Sequence, residues 1–164
     1  MFTAGIITIS DKGSQGKRED LSGPAIVEML AGADIEIKHT LIIPDEKDKI
    51  QEAIINLADV EKLDLILTTG GTGVSSYDVT PDATLEVIGK QISGMAEAMR
   101  HQSMNITPYA MVYRAIAGIR GRCLIVNLPG SPKGTKENLA VTLPALKHAS
   151  EKIKGDTAEC GGSL

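Results

Sequence analysis

The segment TTGGTGVSSYDVTPDAT, residues 68–84, combines glycines, hydroxyl side chains and acids in a pattern that suits anion binding. Gly70, Gly71 and Gly73 let a ligand approach the backbone closely, so that successive N–H groups can point at an anion. The hydroxyl side chains in the segment add further donors: Thr68, Thr69, Thr72, Ser75 and Ser76. A plain strand-to-helix turn would explain the glycines but not the hydroxyls. The segment therefore predicts a phosphate-binding loop.

Aspartates near this loop make it a candidate metal site as well. Asp78 and Asp82 follow the glycines, and Asp45 belongs to another loop. Two carboxylates beside a polyphosphate suit magnesium, since Mg²⁺ commonly takes one or two carboxylates together with phosphate oxygens and waters. Asp82 has a competing role beside the dipole of a helix that Thr80 would cap and Pro81 would begin. Asp45 has one too, as the N-cap of the helix that follows it.

The loop lacks the two common nucleotide-binding signatures, because it has no Walker A lysine and not the spacing of a dinucleotide fingerprint. A second glycine loop follows at residues 127–134, NLPGSPKG. Ser131 is predicted to cap the closing helix and Pro132 to begin it. The free N–H groups at such a helix start favour an anion, and Lys133 and Lys136 add positive charge. Two phosphorylated ligands are one interpretation, and an ordinary capped helix is the other.

Strand-like and helix-like segments alternate along the chain and would position these loops. We predict strands at residues 2–10, 35–43 and 63–71, and two more within 115–131 joined by a turn near Gly121. We predict helices from near Ser22, after Pro44, from Pro81, at 92–104, at 108–115 and from Pro132. This order predicts an α/β fold of three α/β/α layers, with a mostly parallel sheet and helices on both faces. Ligands of such sheets gather at the carboxyl ends of the strands.

Composition narrows the class of protein. The 164 residues suit a single domain, which we place at residues 1–155 with a flexible Gly- and Ser-containing tail at 156–164. A net charge of −4 and the absence of tryptophan argue against nucleic-acid binding. Cys123 and Cys160 lie far apart and predict neither a disulfide framework nor a zinc site. No apolar run is long enough to cross a membrane and the N-terminus lacks a basic leader, so we expect a cytoplasmic protein.

Taken together, the motifs resemble the MogA/MoaB family of molybdopterin adenylyltransferases. The resemblance extends from about residue 5 to residue 150, and it is carried by TTGGTG…DVTPDAT, IPDE (43–46), SGMAEAMR (93–100) and NLPGSPKG (127–134). An N-terminal pattern is similar as well: Ile9, Ser10, Asp11, Gly16, Asp20, Ser22, Gly23 and Pro24. The resemblance implies that AMP passes from ATP to the terminal phosphate of molybdopterin, with Mg²⁺ present and pyrophosphate released.

The resemblance also implies roles for individual residues. The two key aspartates of the family match Asp45 and Asp78, which we assign to catalysis and to magnesium. Nucleotide phosphate would be held by Thr69, Gly70, Gly71, Thr72, Gly73 and Ser75. Secondary candidates for the pterin or its phosphate are Ser10, Asp11, Gly130, Ser131, Pro132 and Lys133.

One departure from the family keeps a second function open. Tyr77 stands where members often carry arginine, so a guanidinium near the phosphates is lost. A catalytically weak pterin-binding or scaffold paralogue is therefore the alternative to an enzyme. The family further implies a homotrimer and a MoeA-type molybdate insertase as a partner. The methionine-rich region from Met95 to Met111 would then serve either as an apolar interface or as core.

Overall fold

The computed structural model describes residues 1–155 and residue 157; the rest of the predicted tail at 156–164 lies outside the described residues. The strands are β1 (Phe2–Ile9), β2 (Ile35–Ile43), β3 (Leu65–Thr69), β4 (Lys90–Gln91), β5 (Ala117–Arg120) and β6 (Cys123–Leu128). The α-helices are α1 (Asp11–Ser14), α2 (Ser22–Leu30), α3 (Lys47–Ile55), α4 (Thr80–Val87), α5 (Ser93–Met104) and α6 (Pro132–Ile153). A π-helical turn at Asn56–Val60 extends α3, and a 3₁₀-helix at Pro108–Val112 follows α5.

The strands form one sheet in the order β2-β1-β3-β6-β5-β4. The first four run parallel, whereas β5 is antiparallel to β6 and β4 is antiparallel to β5. This confirms the predicted mostly parallel sheet. The chain leaves β1 first towards β2 and then returns to the other side of β1 as β3. The order of strands therefore reverses between β1 and β3, which is where ligands of such sheets bind.

Two hydrophobic cores cover the two faces of the sheet. Ile6 of β1 packs on one face with residues of α2, α5 and α6, and its neighbour Ile7 packs on the other face with α3 and α4. Leu67 and Ile66 of β3 divide in the same way. Successive side chains of a strand point to opposite faces, so these uninterrupted apolar runs are the pattern expected of strands buried on both sides. The three-layer α/β/α prediction is confirmed.

The closing helix begins as predicted. Pro132 is its first residue, and the Ser131 hydroxyl oxygen accepts a hydrogen bond from the N–H of Gly134 at 3.1 Å. The predicted cap of α4 is wrong. The helix begins at Thr80, and the preceding Val79 makes no side-chain cap. The Thr80 hydroxyl donates instead to the carbonyl oxygen of Gly70 at 2.9 Å, because Thr80 is buried against the glycine loop.

The structure also bears on the predicted cap at Asp45, on the short elements and on the methionine-rich region. The alternative role of Asp45 as an N-cap is wrong, since Glu46 occupies that position. The short α1 and β4 have no clear signal in the sequence. The methionine-rich region serves partly as core, because Met99 is fully buried while Met104 and Met111 are 44% and 69% exposed. Within the part of the chain that the structure describes, no helix has the length and apolar character to span a membrane.

Candidate active site

Loops that follow four strands meet at the carboxyl edge of the sheet around a cleft of about 700 Å³. The cleft lies beside the reversal of strand order between β1 and β3. The predicted site residues that line it are Ser10, Asp45, Thr69, Gly70, Gly71, Gly130, Ser131 and Pro132. The remaining predicted residues are not part of this lining: Asp11, Thr72, Gly73, Ser75, Asp78 and Lys133.

The glycine loop after β3 adopts a backbone that other residues rarely take. Gly70 and Gly71 have φ values of 105° and 65°. A side chain at Gly70 would also collide with the carbonyl oxygen of Ile9. Within the described chain, the backbone N–H groups of residues 71–73 have no hydrogen-bond acceptor. Consecutive unpaired N–H groups at a strand end are the arrangement that binds anions such as phosphate.

The two glycine loops touch each other. The Gly70 N–H donates to the carbonyl oxygen of Leu128 at 3.2 Å, and a Cβ placed on Gly130 would lie 3.2 Å from Cα of Gly70. The hydroxyl of Thr69 donates to the carbonyl oxygen of Pro129 at 2.6 Å. Both loops are therefore fixed to one another by backbone contacts and by the Thr69 hydroxyl.

The predicted hydroxyl donors are mostly engaged within the protein. Besides Thr69, the Thr68 hydroxyl accepts a hydrogen bond from Asn127 at 3.0 Å, and Thr72 is only 5% exposed. The Ser75 hydroxyl donates to a carboxylate oxygen of Asp78 at 2.8 Å. The donors without a partner among the described residues include the N–H groups of residues 71–73 and the exposed hydroxyl of Ser76, whereas the hydroxyls of Thr68, Thr69 and Ser75 are engaged. The cause is long-range packing of β6 and the turn against the loop, which a local motif does not reveal.

Asp45 is held by a reciprocal pair of hydrogen bonds with Asp11. Its Oδ2 accepts from the Asp11 N–H, and Asp11 Oδ1 accepts from the Asp45 N–H, both at 2.9 Å. The other oxygen of Asp45 faces the glycine loop, since a Cβ on Gly71 would lie 3.1 Å from Oδ1. Burial raises the pKa of Asp45, and the charges of Asp11 and Asp78 raise it further against the opposing hydrogen bond from Asp11. The carboxylate thus lies where a cation would stabilise its charge.

Asp78 lies against Gly73, further along the same loop. Its Oδ2 accepts hydrogen bonds from the N–H and the hydroxyl of Ser75, at 2.9 and 2.8 Å. The same oxygen would lie 2.7 Å from a Cβ on Gly73, so only glycine leaves room for it. The second oxygen, Oδ1, has no hydrogen-bond donor among the described residues. Asp45 and Asp78 therefore contact one glycine loop at two of its glycines.

Asp82 faces away from this arrangement. Arg114 donates to both of its carboxylate oxygens, at 3.2 and 3.0 Å. These hydrogen bonds lower the pKa of Asp82, so it stays ionised as part of an ion pair. No motif in the sequence points to Arg114, which lies far along the chain and enters the loop only through the fold. Asp82 is consequently a structural acid rather than a third ligand of the site.

Several cleft residues lie outside the predicted set: Thr8, Arg18, Glu19, Asp20, Leu21 and Ser22. Asp20 accepts hydrogen bonds from the Thr8 hydroxyl at 2.8 Å and from the N–H groups of Ser22 and Gly23 at 3.1 and 3.0 Å. It therefore anchors the entry of α2. The sequence signal that could have pointed to Asp20 was its place in the N-terminal pattern that resembles the family. Lys133 pairs with Glu137 at 3.8 Å beside a neighbouring depression.

The charges of the cleft suit a cation together with an anionic ligand. Glu19, Asp20 and Asp45 line it together with the guanidinium of Arg18. Among the described residues, no group of three or more histidine, cysteine or acidic side chains could hold a metal alone. Two carboxylates with unused oxygens still fit Mg²⁺, because that ion completes its shell with phosphate oxygens and waters. The residues thus fit a magnesium ion that is bound with a phosphorylated ligand.

Replacing Asp45 is expected to stabilise the ligand-free protein at neutral pH. Because its pKa in the folded state lies above the ordinary value of 3.8, the folded state binds this proton more tightly than the unfolded chain does. The free energy of unfolding should therefore fall as the pH rises through the raised pKa. An asparagine in its place would still accept the Asp11 hydrogen bond but carry no charge. Urea unfolding between pH 4 and 8 should show Asp45→Asn gaining on the wild type as the pH rises.

Asp48→Asn is the matched control for that measurement. Asp48 is an exposed acid in the first turn of α3, where negative charge favours the helix. Its removal should leave stability unchanged or slightly lower at pH 7. A lower free energy of unfolding for Asp45→Asn than for the wild type throughout the series would contradict the assignment of Asp45 as a destabilising charge.

Comparison with known proteins places this geometry among relatives. Residues 5–148 match a family model described as "Probable molybdopterin binding domain". A molybdopterin adenylyltransferase of Helicobacter pylori (strain J99) is 41% identical over 155 residues, which are 93% of this chain and 88% of that protein. A molybdopterin adenylyltransferase of Escherichia coli (strain K12) is 43% identical over 138 residues, or 82% of this chain and 70% of that protein.

A solved structure is similar throughout. The molybdopterin biosynthesis enzyme MoaB of Thermus thermophilus superposes with a TM-score of 0.90 at 47% sequence identity. The match covers 95% of this chain and 98% of that one. The similarity therefore extends over the loops that form the cleft as well as over the sheet.

Proposed function

The chain belongs to the MogA/MoaB family of molybdopterin adenylyltransferases, and on that premise we propose that it transfers AMP from ATP to the terminal phosphate of molybdopterin. It is a nucleotidyltransferase of molybdenum cofactor biosynthesis. In the proposed reaction, a phosphate oxygen of molybdopterin forms a bond to the α-phosphorus of ATP. The bond from that phosphorus to the oxygen of the β-phosphate breaks, and pyrophosphate leaves with the electron pair.

The attacking group needs no base from the protein. The second pKa of a phosphate monoester is about 6, so the terminal phosphate is mostly ionised at neutral pH. The protein has instead to bring two anions together and to balance the charge on the α-phosphate and the leaving pyrophosphate. Positioning and electrostatic stabilisation supply most of the catalysis in phosphoryl-transfer enzymes. Glycine loops and acids would therefore matter more than a histidine.

One observation carries the proposal. Asp45 lies against Gly71 and Asp78 lies against Gly73 of one glycine loop, and the N–H groups of residues 71–73 have no acceptor within the described chain. The N–H groups can hold a phosphate oxygen, and the two carboxylates can hold a cation against the same phosphate. We assign the nucleotide phosphates to this loop.

Magnesium would bind Asp45 and Asp78 and would neutralise charge on the phosphates of the nucleotide. The raised pKa of Asp45 supports this role, because a carboxylate that is partly buried and lies near other negative charges is stabilised strongly by a bound cation. The reciprocal bonds with Asp11 would keep Asp45 in place whether or not the ion is present.

The second glycine loop would hold the phosphate of molybdopterin. Ser131 and Pro132 line the cleft where α6 begins, and a helix N-terminus favours an anion. Its contact with the first loop through Gly70 and Gly130 would bring the two phosphates side by side. Arg18 at the cleft adds a positive charge for the anions that meet there.

A pyrophosphate-release assay tests the proposal. Purified protein with ATP, Mg²⁺ and molybdopterin is expected to release pyrophosphate in amounts that follow the molybdopterin supplied. Omission of molybdopterin controls for ATP hydrolysis, and chelation of the metal should stop the release. Asp48→Asn, which changes an exposed acid on the helix that follows the Asp45 loop, should act like the wild type.

If the protein binds molybdopterin but releases no pyrophosphate above background, the proposed adenylyl transfer is refuted. That result would favour the second candidate, a catalytically weak pterin-binding or scaffold paralogue. The observation behind this candidate is Tyr77, which is 71% exposed next to Asp78 in the chain and provides no positive charge to the phosphates. Equilibrium binding of molybdopterin, measured beside turnover, separates the two functions.

Assembly, partner and compartment complete the proposal. Exposed apolar side chains next to and within the 3₁₀-helix would cover one another in a homotrimer: Ile106, Tyr109, Met111 and Val112. A MoeA-type molybdate insertase would accept the adenylylated product. We place the reaction in the cytoplasm, where ATP is abundant and thiols such as buried Cys123 stay reduced.

A further inference from the structure

Arg114 fastens both ends of the loop that carries Asp78. Its backbone N–H donates to the carbonyl oxygen of Thr72 at 2.8 Å. Its Nε donates to the carbonyl oxygen of Gly73 at 2.7 Å, and its Nη2 donates to that of Asp78 at 2.6 Å. One side chain thereby joins the start and the end of the segment 73–78.

The orientation of this guanidinium is itself fixed. Both oxygens of the Asp82 carboxylate accept from Arg114, and Asp82 belongs to the first turn of α4. Arg114 thus links the loop to a helix as well as to the segment before β5. A planar guanidinium can make these bonds at once, whereas a lysine ammonium is a point charge with no fixed fork.

We propose that Arg114 is a positioning residue for the reaction, because it holds the Asp78 carboxylate beside the phosphate-binding glycines. The catalytic part of this inference rests on the proposed function, but the restraint on the loop does not. The Asp78 carboxylate packs so closely on Gly73 that a shift of either end of the segment would move it. A displacement of about 1 Å at a reacting site can cost about 10²-fold in rate.

Arg120, the last residue of β5, provides a matched control away from the glycine loop. It too binds a carboxylate, with Nε and Nη2 contacting Asp59 at 3.1 and 2.6 Å. It too donates to a backbone carbonyl, that of Val87, at 2.7 Å. None of these partners belongs to the glycine loop. Arg114→Met and Arg120→Met therefore remove similar bonds from two different places.

Hydrogen exchange measures the restraint without any substrate. In Arg114→Met, we expect the amides of Ser75 and Asp78 to exchange about tenfold faster or more, since hydrogen bonds from charged groups are among the stronger ones. The same amides should be unchanged in Arg120→Met. If Arg114→Met does not fold, Arg114→Lys serves for the same measurement. Equal exchange in the two variants would overturn the inference, whatever the protein catalyses.

Kinetic and binding measurements test what this restraint on the loop contributes to the reaction. Arg114→Met should lower kcat by about 10²-fold and raise the Mg²⁺ concentration needed for half-maximal rate, while the Kd for molybdopterin stays the same. Asp82→Asn leaves the hydrogen bonds from Arg114 to the backbone carbonyls in place, so its kcat should fall less than that of Arg114→Met. Faster exchange with an unchanged kcat would overturn the catalytic part. A wild type without pyrophosphate release would refute the proposed function instead, while the exchange result would still stand.

Discussion

Asp78→Asn is expected to reduce pyrophosphate release by about 10²- to 10³-fold, the loss typical when one charge-stabilising group is removed from a reacting site. The substitution is nearly isosteric. The new amide oxygen can still accept from the N–H and hydroxyl of Ser75, so the turn should keep its shape. The variant would, however, lack the negative charge that we assign to magnesium. The loss should therefore appear in kcat and in the Mg²⁺ requirement, while binding of molybdopterin stays close to that of the wild type.

Asp82→Asn is the neighbouring control for this variant. Asp82 lies four residues further on, but its carboxylate is paired with Arg114 rather than facing the glycines. Its replacement should cost less than tenfold in kcat, given that exposed ion pairs contribute only about 0–1 kcal/mol. Comparable losses for both variants would mean that Asp78 acts through loop structure and not through its charge. An active Asp78→Asn would remove it from the site altogether.

Gly70→Ala is expected to lower the free energy of unfolding by about 2–6 kcal/mol, from about 1–3 kcal/mol of backbone strain and a similar amount of overpacking. Gly70 has a φ of 105°, and a Cβ there would collide with the Ile9 carbonyl oxygen. That oxygen belongs to the main chain of β1 and cannot rotate away. Since small domains have only about 5–15 kcal/mol of stability, the variant should unfold at much lower urea concentration.

Gly16→Ala separates strain from collision. Gly16 also has a positive φ, of 70°, but a Cβ there would meet no atom within 4 Å. Only the left-handed backbone should then cost stability, by about 1–2 kcal/mol. Equal losses in urea unfolding at the two positions would refute the close contact between the glycine loop and β1.

The parts of the fold that the sequence predicted are those fixed by local pattern. Apolar β-branched runs predicted β1 and β3 within two residues, because strands buried on both faces need such side chains at nearly every position. The edge strand β2 was predicted with the same bounds that the structure has, from a β-rich segment whose residues alternate between half-buried and exposed. Ser131 and Pro132 predicted the start of α6. The two-residue β4 escaped prediction, because only its pairing with β5 makes it a strand.

In the candidate site too, features with a local sequence signal were predicted and contacts between distant residues were not. The glycines are recognisable from residue type and spacing, and the resemblance to the family singled out Asp45 and Asp78 among the nearby acids, although the roles of all of them stay predictions. The Thr80 hydroxyl looked like a cap and proved to bind the Gly70 carbonyl, because only the folded chain brings the loop against it. Arg114 lies 36 residues from Asp78, and a contact of that separation leaves no local signal.

The contact between Gly70 and Gly130 joins main chain to main chain. The spacing of the two glycine loops is therefore set in large part by the main chain, and the Thr69 hydroxyl adds one side-chain hydrogen bond between them. An exposed side chain such as Tyr77 can be replaced without altering this contact between the two loops. We infer that such proteins can change how strongly they hold a substrate while keeping the geometry in which two substrates meet.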